Sequence, residues 1–260
     1  MKVQVAEGVT LNVRSFSGVG VPFLLVHGLS SNARLWDGVI SHLAGHPAFA
    51  VDLRSHGESD RPPEGHDTAT AAADLDAVCA ALDLPPAIVA GQSWGGNIAV
   101  QFAARFPARV RALALVDGGW INLAAQFPDW ASCETRLRPA DVTGMTGARL
   151  RAMLASGHPD WEPWALDATV FNLAAGPDDR LTRRLSIPQH MRIVRSMWDD
   201  PPQPYFPSIE VPVLAIPAGS GDQVDLDGLR DVKIRPYPGG DHDLHAQHPA
   251  SIAADLLSLS

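Results

Sequence analysis

Ala87-Ile88-Val89-Ala90-Gly91-Gln92-Ser93-Trp94-Gly95-Gly96-Asn97 reads as a buried strand that bends abruptly into a helix, with a serine at the bend. Ala87–Ala90 is apolar without alternation, which a strand needs when both of its faces are covered, as in a parallel sheet. An amphipathic segment follows from Gly95 to Phe106. So sharp a strand-to-helix turn leaves no room for bulky neighbours, and Gly91 and Gly95 bracket Ser93 accordingly. The turn lifts the serine Oγ above the sheet edge, and the helix directs the positive end of its dipole at the same point. Ser93 is therefore the candidate nucleophile. The backbone N–H of Trp94 is a candidate donor to an oxyanion. The pentapeptide alone is a weak signal, because small residues collect in turns; the strand before it and the helix after it give it weight.

Outward from this bend, strand and helix signals take turns. Lys2–Ala6 and Thr10–Ser15 flank Glu7-Gly8 as a hairpin. Apolar runs at Val21–Val26, Ala48–Leu53, Ala112–Val116, Val211–Ile216 and, more weakly, Val232–Tyr237 read as further strands, and Ala33–Ala44, Ala69–Leu82 and Pro249–Leu259 as helices. The alternation implies an α/β fold: a mostly parallel twisted sheet with helices on both faces, joined by right-handed crossovers. It stops between Gly118 and Ser208, where roughly 90 residues carry helical patterns at Ala148–Leu154 and Ile187–Met197 but no buried strand. The expected division is a core of residues 1–118 and 208–260 with a helical cap over 119–207. Five of the seven Trp residues (Trp120, Trp130, Trp161, Trp164, Trp198) fall in that insertion. Most of them fill a small helical core on this reading, while Trp120 and Trp164 are candidates to line a substrate pocket.

The net charge of −9 and the absence of a dense Lys/Arg cluster argue against a nucleic-acid partner. The amino-terminal residues lack the apolar core of a signal peptide, and no apolar run approaches the ~20 residues of a membrane span. A cytoplasmic protein acting on a small molecule, as monomer or homodimer, is expected. Cys79 and Cys133 have no metal-type spacing and make no disulfide framework, so both are expected as free thiols.

The chain resembles α/β-hydrolase-fold serine hydrolases of the capped esterase, lactonase and C–C-bond hydrolase kind. The resemblance rests on Val26-His27-Gly28-Leu29-Ser30 after an early strand, on the stretch from Asp52-Leu53-Arg54-Ser55-His56-Gly57 to Pro62 after the next, and on the Ser93 elbow. It implies that the Leu29 backbone N–H is the second oxyanion donor, with no catalytic cofactor or metal. On the same ground Asp52, Arg54 and His56 brace loops, and His27 is structural. Pro238-Gly239-Gly240-Asp241-His242, ahead of His248-Pro249, is similar to the family's Gly-His pair before the final helix. This makes His242 the candidate base, with His245 as the alternative. Asp241 departs from the pattern, standing where glycine is usual, and could bring a second carboxylate to the imidazole.

Asp222 in Gly219-Ser220-Gly221-Asp222 fits the family's turn for the triad acid, although Pro217-Ala218 lengthens that turn. Asp225 is a fallback, and some relatives take the acid from the preceding strand end, here Asp117. Asp241, His242, Asp243, His245 and His248 crowd into eight positions and could suggest a metal site, but no HExxH or comparable signature accompanies them. The reaction expected is cleavage of a carboxylester or lactone through an acyl-enzyme. The alternatives are C–C hydrolysis, perhydrolysis, a lyase, or a non-catalytic small-ligand receptor on the same fold.

Overall fold

A computed structural model describes residues 1–142, 144–176, 178–221 and 224–260. The chain opens with the hairpin read from the sequence, β1 (Lys2–Ala6) and β2 (Val9–Phe16), reversing at Gly8 with φ 67°. β3 (Phe23–Val26), β4 (Ala48–Asp52), β5 (Ala87–Gln92) and β6 (Val110–Val116) follow, each close to its apolar run. After an excursion that contains β7 (Leu173–Ala175) and β8 (Leu181–Arg183), the chain returns as β9 (Val213–Ile216) and β10 (Val232–Ile234). Among the described residues the main sheet has eight strands, ordered β1-β2-β4-β3-β5-β6-β9-β10. β1–β2 and β2–β4 are antiparallel and the remaining pairs parallel, so the expected mostly parallel α/β sheet is what forms.

Side-chain alternation divides the core between the two faces. On β5, Val89 joins a cluster with residues of α2 (Thr68–Ala81) and α3 (Trp94–Arg105), such as Leu75, Ile98 and Phe102. Ile88 and Ala90 face the other way, with Val39 of α1 (Asp37–Ile40) and Ile252 of α10 (Pro249–Leu257). Every one of these side chains is essentially fully buried, which for a large aliphatic is worth ~1.5–3 kcal/mol. The helix expected over Ala33–Ala44 is shorter: Asn32 accepts from the Arg34 amide and starts a 3-10 turn at Ala33–Trp36, and α1 then runs only to Ile40.

Between β6 and β9 the described residues form five α-helices, α4 (Leu123–Gln126), α5 (Trp130–Leu137), α6 (Gly147–Gly157), α7 (Pro163–Val170) and α8 (Ile187–Asp199). Between α7 and α8 lies the small hairpin of β7 and β8, two short and mostly unburied strands added to the helical pattern. The insertion is fastened to the sheet domain on two sides. Cys133, Ile193, Val194 and Met197 enter the α2–α3 cluster, while Trp161, Ala165 and Leu166 pack with Leu35 and Ala246. Cys79 and Cys133 are buried free thiols, and burial lifts the Cys79 thiol to about 11. No described helix is long and apolar enough to cross a membrane.

Candidate active site

Parallel register brings the carboxyl ends of four strands into line, pairing Val26 with Gly91, Gln92 with Val116, and Val116 with Ile216. Ser93 stands at this edge with φ 53° and ψ −123°, outside the regions a residue with a Cβ prefers. Such strain persists only where the surroundings over-determine it. Here they do: the Ser93 amide donates to Val116 O at 3.0 Å, and the Ser93 carbonyl accepts from Gly96 N at 2.9 Å. A Cβ on Gly91 would lie 2.2 Å from Gly95 O, and one on Gly95 would lie 2.4 Å from Val26 O. The two glycines are therefore required by close backbone approach. Ser93, Leu29 and Ser30 are half-buried, while Trp94 is buried.

The loop after β3 presses on the elbow, since a Cβ on Gly28 would lie 3.0 Å from the Ser93 Cβ. Buried polar groups hold this loop. His27 Nδ1 donates to Gly28 O at 2.7 Å and its Nε2 accepts from the Leu53 amide; His56 Nδ1 donates to Arg54 O and its Nε2 accepts from the Ser30 amide at 3.1 Å. Burial pushes the two imidazoles down to about 4 and about 3, so both are neutral braces. Asp52 accepts from the amides of Ala33 and Glu58 and from Asn12 Nδ2, and Arg54 pairs with Asp74. These side chains are committed to the scaffold.

His242 lies in the loop before α9 (Leu244–Gln247) and α10, and its side chain is about half exposed. Its Nδ1 donates to Asp117 Oδ2 at 2.6 Å. Asp117 directly follows β6, with φ 41°, and its other oxygen accepts from the Ala218 amide at 2.9 Å. Gln92, the neighbour of Ser93, donates through Nε2 to His242 O at 3.0 Å and ties the imidazole loop to the elbow. Burial disfavours the charged imidazole, but the Asp117 hydrogen bond and the charges of Asp243, Asp117 and Asp241 outweigh it, so the His242 pKa is raised.

Of the carboxylates weighed from sequence that lie among the described residues, Asp117 and Asp225, Asp117 is the one bonded to His242. Asp222 lies outside the described residues. Asp225 is exposed and accepts from the Asp227 amide in a local turn. His245, the alternative base, is fully buried against the Trp36 ring with centroids 4.6 Å apart, and burial lowers its pKa to about 3. Among the described residues no group of three or more His, Cys, Asp or Glu could hold a metal ion.

The insertion reaches this site at several points. His190 of α8 accepts from Ser30 Oγ at 2.9 Å while donating to Leu137 O, and Ser196 accepts from the Thr68 amide. Thr68 Oγ1 in turn accepts from the Trp94 indole N–H. Trp120 is half-buried just after Gly118, whose backbone abuts that of Ser93. Trp164 is at the start of α7, its ring covering Gly38 beside Pro249 on the α1–α10 flank of the molecule. The contacts of Trp161 and His158 with Asp241 were not foreseen; the one hint was a carboxylate in a glycine position.

Lipase LipV of Mycobacterium tuberculosis is 32% identical over 176 residues, 64% of this chain and 62% of that protein. An uncharacterized protein of Mycobacterium bovis is 37% identical over 107 residues; the shared stretch is 41% of this chain and only 31% of that protein. Among solved structures, E-2-(acetamidomethylene)succinate hydrolase superimposes with a TM-score of 0.81 at 23% identity, over 100% of this chain and 97% of that one. The family model described as alpha/beta hydrolase fold matches residues 21–168, more than half of the sequence, and the chain belongs to the α/β-hydrolase family.

Proposed function

We propose that the protein is a serine hydrolase that cleaves an ester-type bond, carboxylester or lactone, of a small substrate. Ser93 is the nucleophile, His242 the base and Asp117 the carboxylate behind it. The observation that carries this reading is the 2.6 Å bond from His242 Nδ1 to Asp117 Oδ2, at a strand end in register with the strained Ser93 elbow. With Nδ1–H committed to Asp117, the imidazole offers Nε2 as the basic nitrogen. His242 then takes the Ser93 proton as Oγ attacks the carbonyl carbon. The tetrahedral oxyanion is held by the Leu29 and Trp94 amides, each such donor contributing about 2.7–4 kcal/mol to the transition state. His242 returns the proton to the leaving alcohol, which departs and leaves the acyl-enzyme. Water, deprotonated by the same imidazole, releases the acid and restores Ser93. The likeness to a mycobacterial lipase supports an ester substrate, and Trp120 beside Gly118 supports an apolar contact near the carbonyl.

A fluorophosphonate probe tests the assignment. Wild-type protein is expected to be labelled stoichiometrically and to hydrolyse short p-nitrophenyl esters, and Ser93→Ala to do neither. Labelling of the Ala variant at the wild-type rate would overturn the reading.

A further inference from the structure

Asp241 immediately precedes His242 and belongs to its loop, yet its side chain turns to the cap. Oδ2 accepts from the Trp161 indole N–H at 2.9 Å and from His158 Nδ1 at 3.0 Å. The two donor rings stack on each other, with centroids 4.1 Å apart and planes 30° from parallel. Oδ1 accepts from the Asp243 amide at 2.9 Å, closing the turn around His242. The Asp241 amide donates to Gln247 Oε1 at 2.8 Å, and Gln247 Nε2 donates to Asp160 Oδ2 at 2.6 Å. A single carboxylate thus accepts two bonds from segment 158–161, between α6 and α7, while a second link from the same segment runs through Gln247 to the Asp241 backbone. Trp161 is itself buried in the cluster that joins Leu35 to α7, so the segment is rigid where it meets the loop.

We propose that Asp241 is a positioning residue for His242, through which cap segment 158–161 is locked to the loop that presents the imidazole. The inference rests on the reading of His242 as the base. His242 is then held at three points: its ring by Asp117 at Nδ1, its backbone carbonyl by Gln92, and the preceding residue by the cap. A base displaced by even a fraction of an ångström loses alignment with the serine hydroxyl, so seating of the cap governs the rate of serine attack. A second consequence is electrostatic. The groups facing His242 are Asp117 from the end of β6, Asp241 and Asp243 from its own loop, and His245 from α9, while His158 of the cap faces Asp241 and Asp243. The Asp241 charge favours the imidazolium, so its removal lowers the pH at which the base becomes available.

The test is the pH dependence of the fluorophosphonate labelling rate in wild type, Asp241→Asn, Trp161→Phe and His242→Asn, with a thermal melt of each. Asp241→Asn is expected to move the acid limb down by about half a pH unit and to lower the plateau roughly three- to ten-fold. Trp161→Phe keeps the buried ring and the Asp241 charge but removes the indole donor. It is expected to lower the plateau about three-fold while leaving the limb in place. If both variants show the wild-type limb and plateau, whatever their melting temperatures, the proposal is overturned. Failure of the underlying reading is a different result: His242→Asn labelled as fast as wild type.

Discussion

Asp117 does what the residue after a strand rarely does: it turns at φ 41°, gives one carboxylate oxygen to the Ala218 amide, and keeps the other for His242. The amide bond fixes the carboxylate, and the fixed carboxylate selects the Nδ1–H tautomer. Asp117→Asn keeps the shape but can donate to Nδ1, which favours the wrong tautomer. Hydrolysis of p-nitrophenyl acetate is expected to fall about 10³–10⁴-fold at pH 7; a variant within tenfold of wild type would remove Asp117 from the mechanism. On the proposed mechanism His242 works only when unprotonated, and its pKa is raised, so the acid limb of activity is expected above the ordinary histidine value of 6.5. Ser93 and His242 stand out as candidates in the sequence because their neighbours shape the backbone around them. The carboxylate bonded to His242 does not stand out in the same way: in the sequence Asp117 and Asp222 both come after apolar runs and beside glycines, and only register between β5 and β6 brings the end of β6 beside the elbow.

The parallel strands were legible as elements because burial on both faces imposes unbroken apolar runs. β7 and β8 were not, since each is three residues long and Leu-Ala-Ala and Leu-Thr-Arg carry neither a run nor an alternation. The exit from β6 is as demanding as the elbow. A Cβ on Gly118 would lie 2.1 Å from Ser93 O and 2.5 Å from Ser93 Cα, so the loop leading into the insertion is pressed against the backbone of Ser93. Backbone on both sides leaves little to give way. Gly118→Ala is expected to cost about 1–3 kcal/mol of stability through overpacking and to slow fluorophosphonate labelling at least tenfold in the fraction that stays folded. Urea unfolding and labelling rates measure the two effects separately, and normal labelling in a stably folded Gly118→Ala protein would show that the cap exit and the elbow are mechanically independent.

At the scale of the whole molecule, the histidines that brace the site set its tolerance of acid. His27, His56 and His245 are fully buried or nearly so, with pKa values pushed by burial to about 4, about 3 and about 3. In the unfolded chain each titrates near 6.5. Between those values the unfolded state binds protons that the folded state refuses, so stability rises with pH across this window and is lost as pH falls from 6.5 towards 4. His242 works in the opposite sense. Its folded pKa is raised, so its contribution is present below 6.5 and disappears as pH climbs past the folded value. Three deeply shifted groups, each worth on the order of a few kcal/mol, outweigh one half-exposed one. The urea midpoint is therefore expected to drop clearly between pH 7 and pH 5. His245 isolates the cause, because its two ring nitrogens meet no hydrogen-bond partner among the described residues, whereas those of His27 and His56 hold the loops. Replacing that imidazole with an apolar side chain of similar size removes both the unmet polar atoms and the titration. His245→Leu is expected to gain about 1–2 kcal/mol at pH 7 and to lose less than wild type on going to pH 5. An undiminished pH 7-to-5 drop in the variant would place the acid sensitivity elsewhere in the protein.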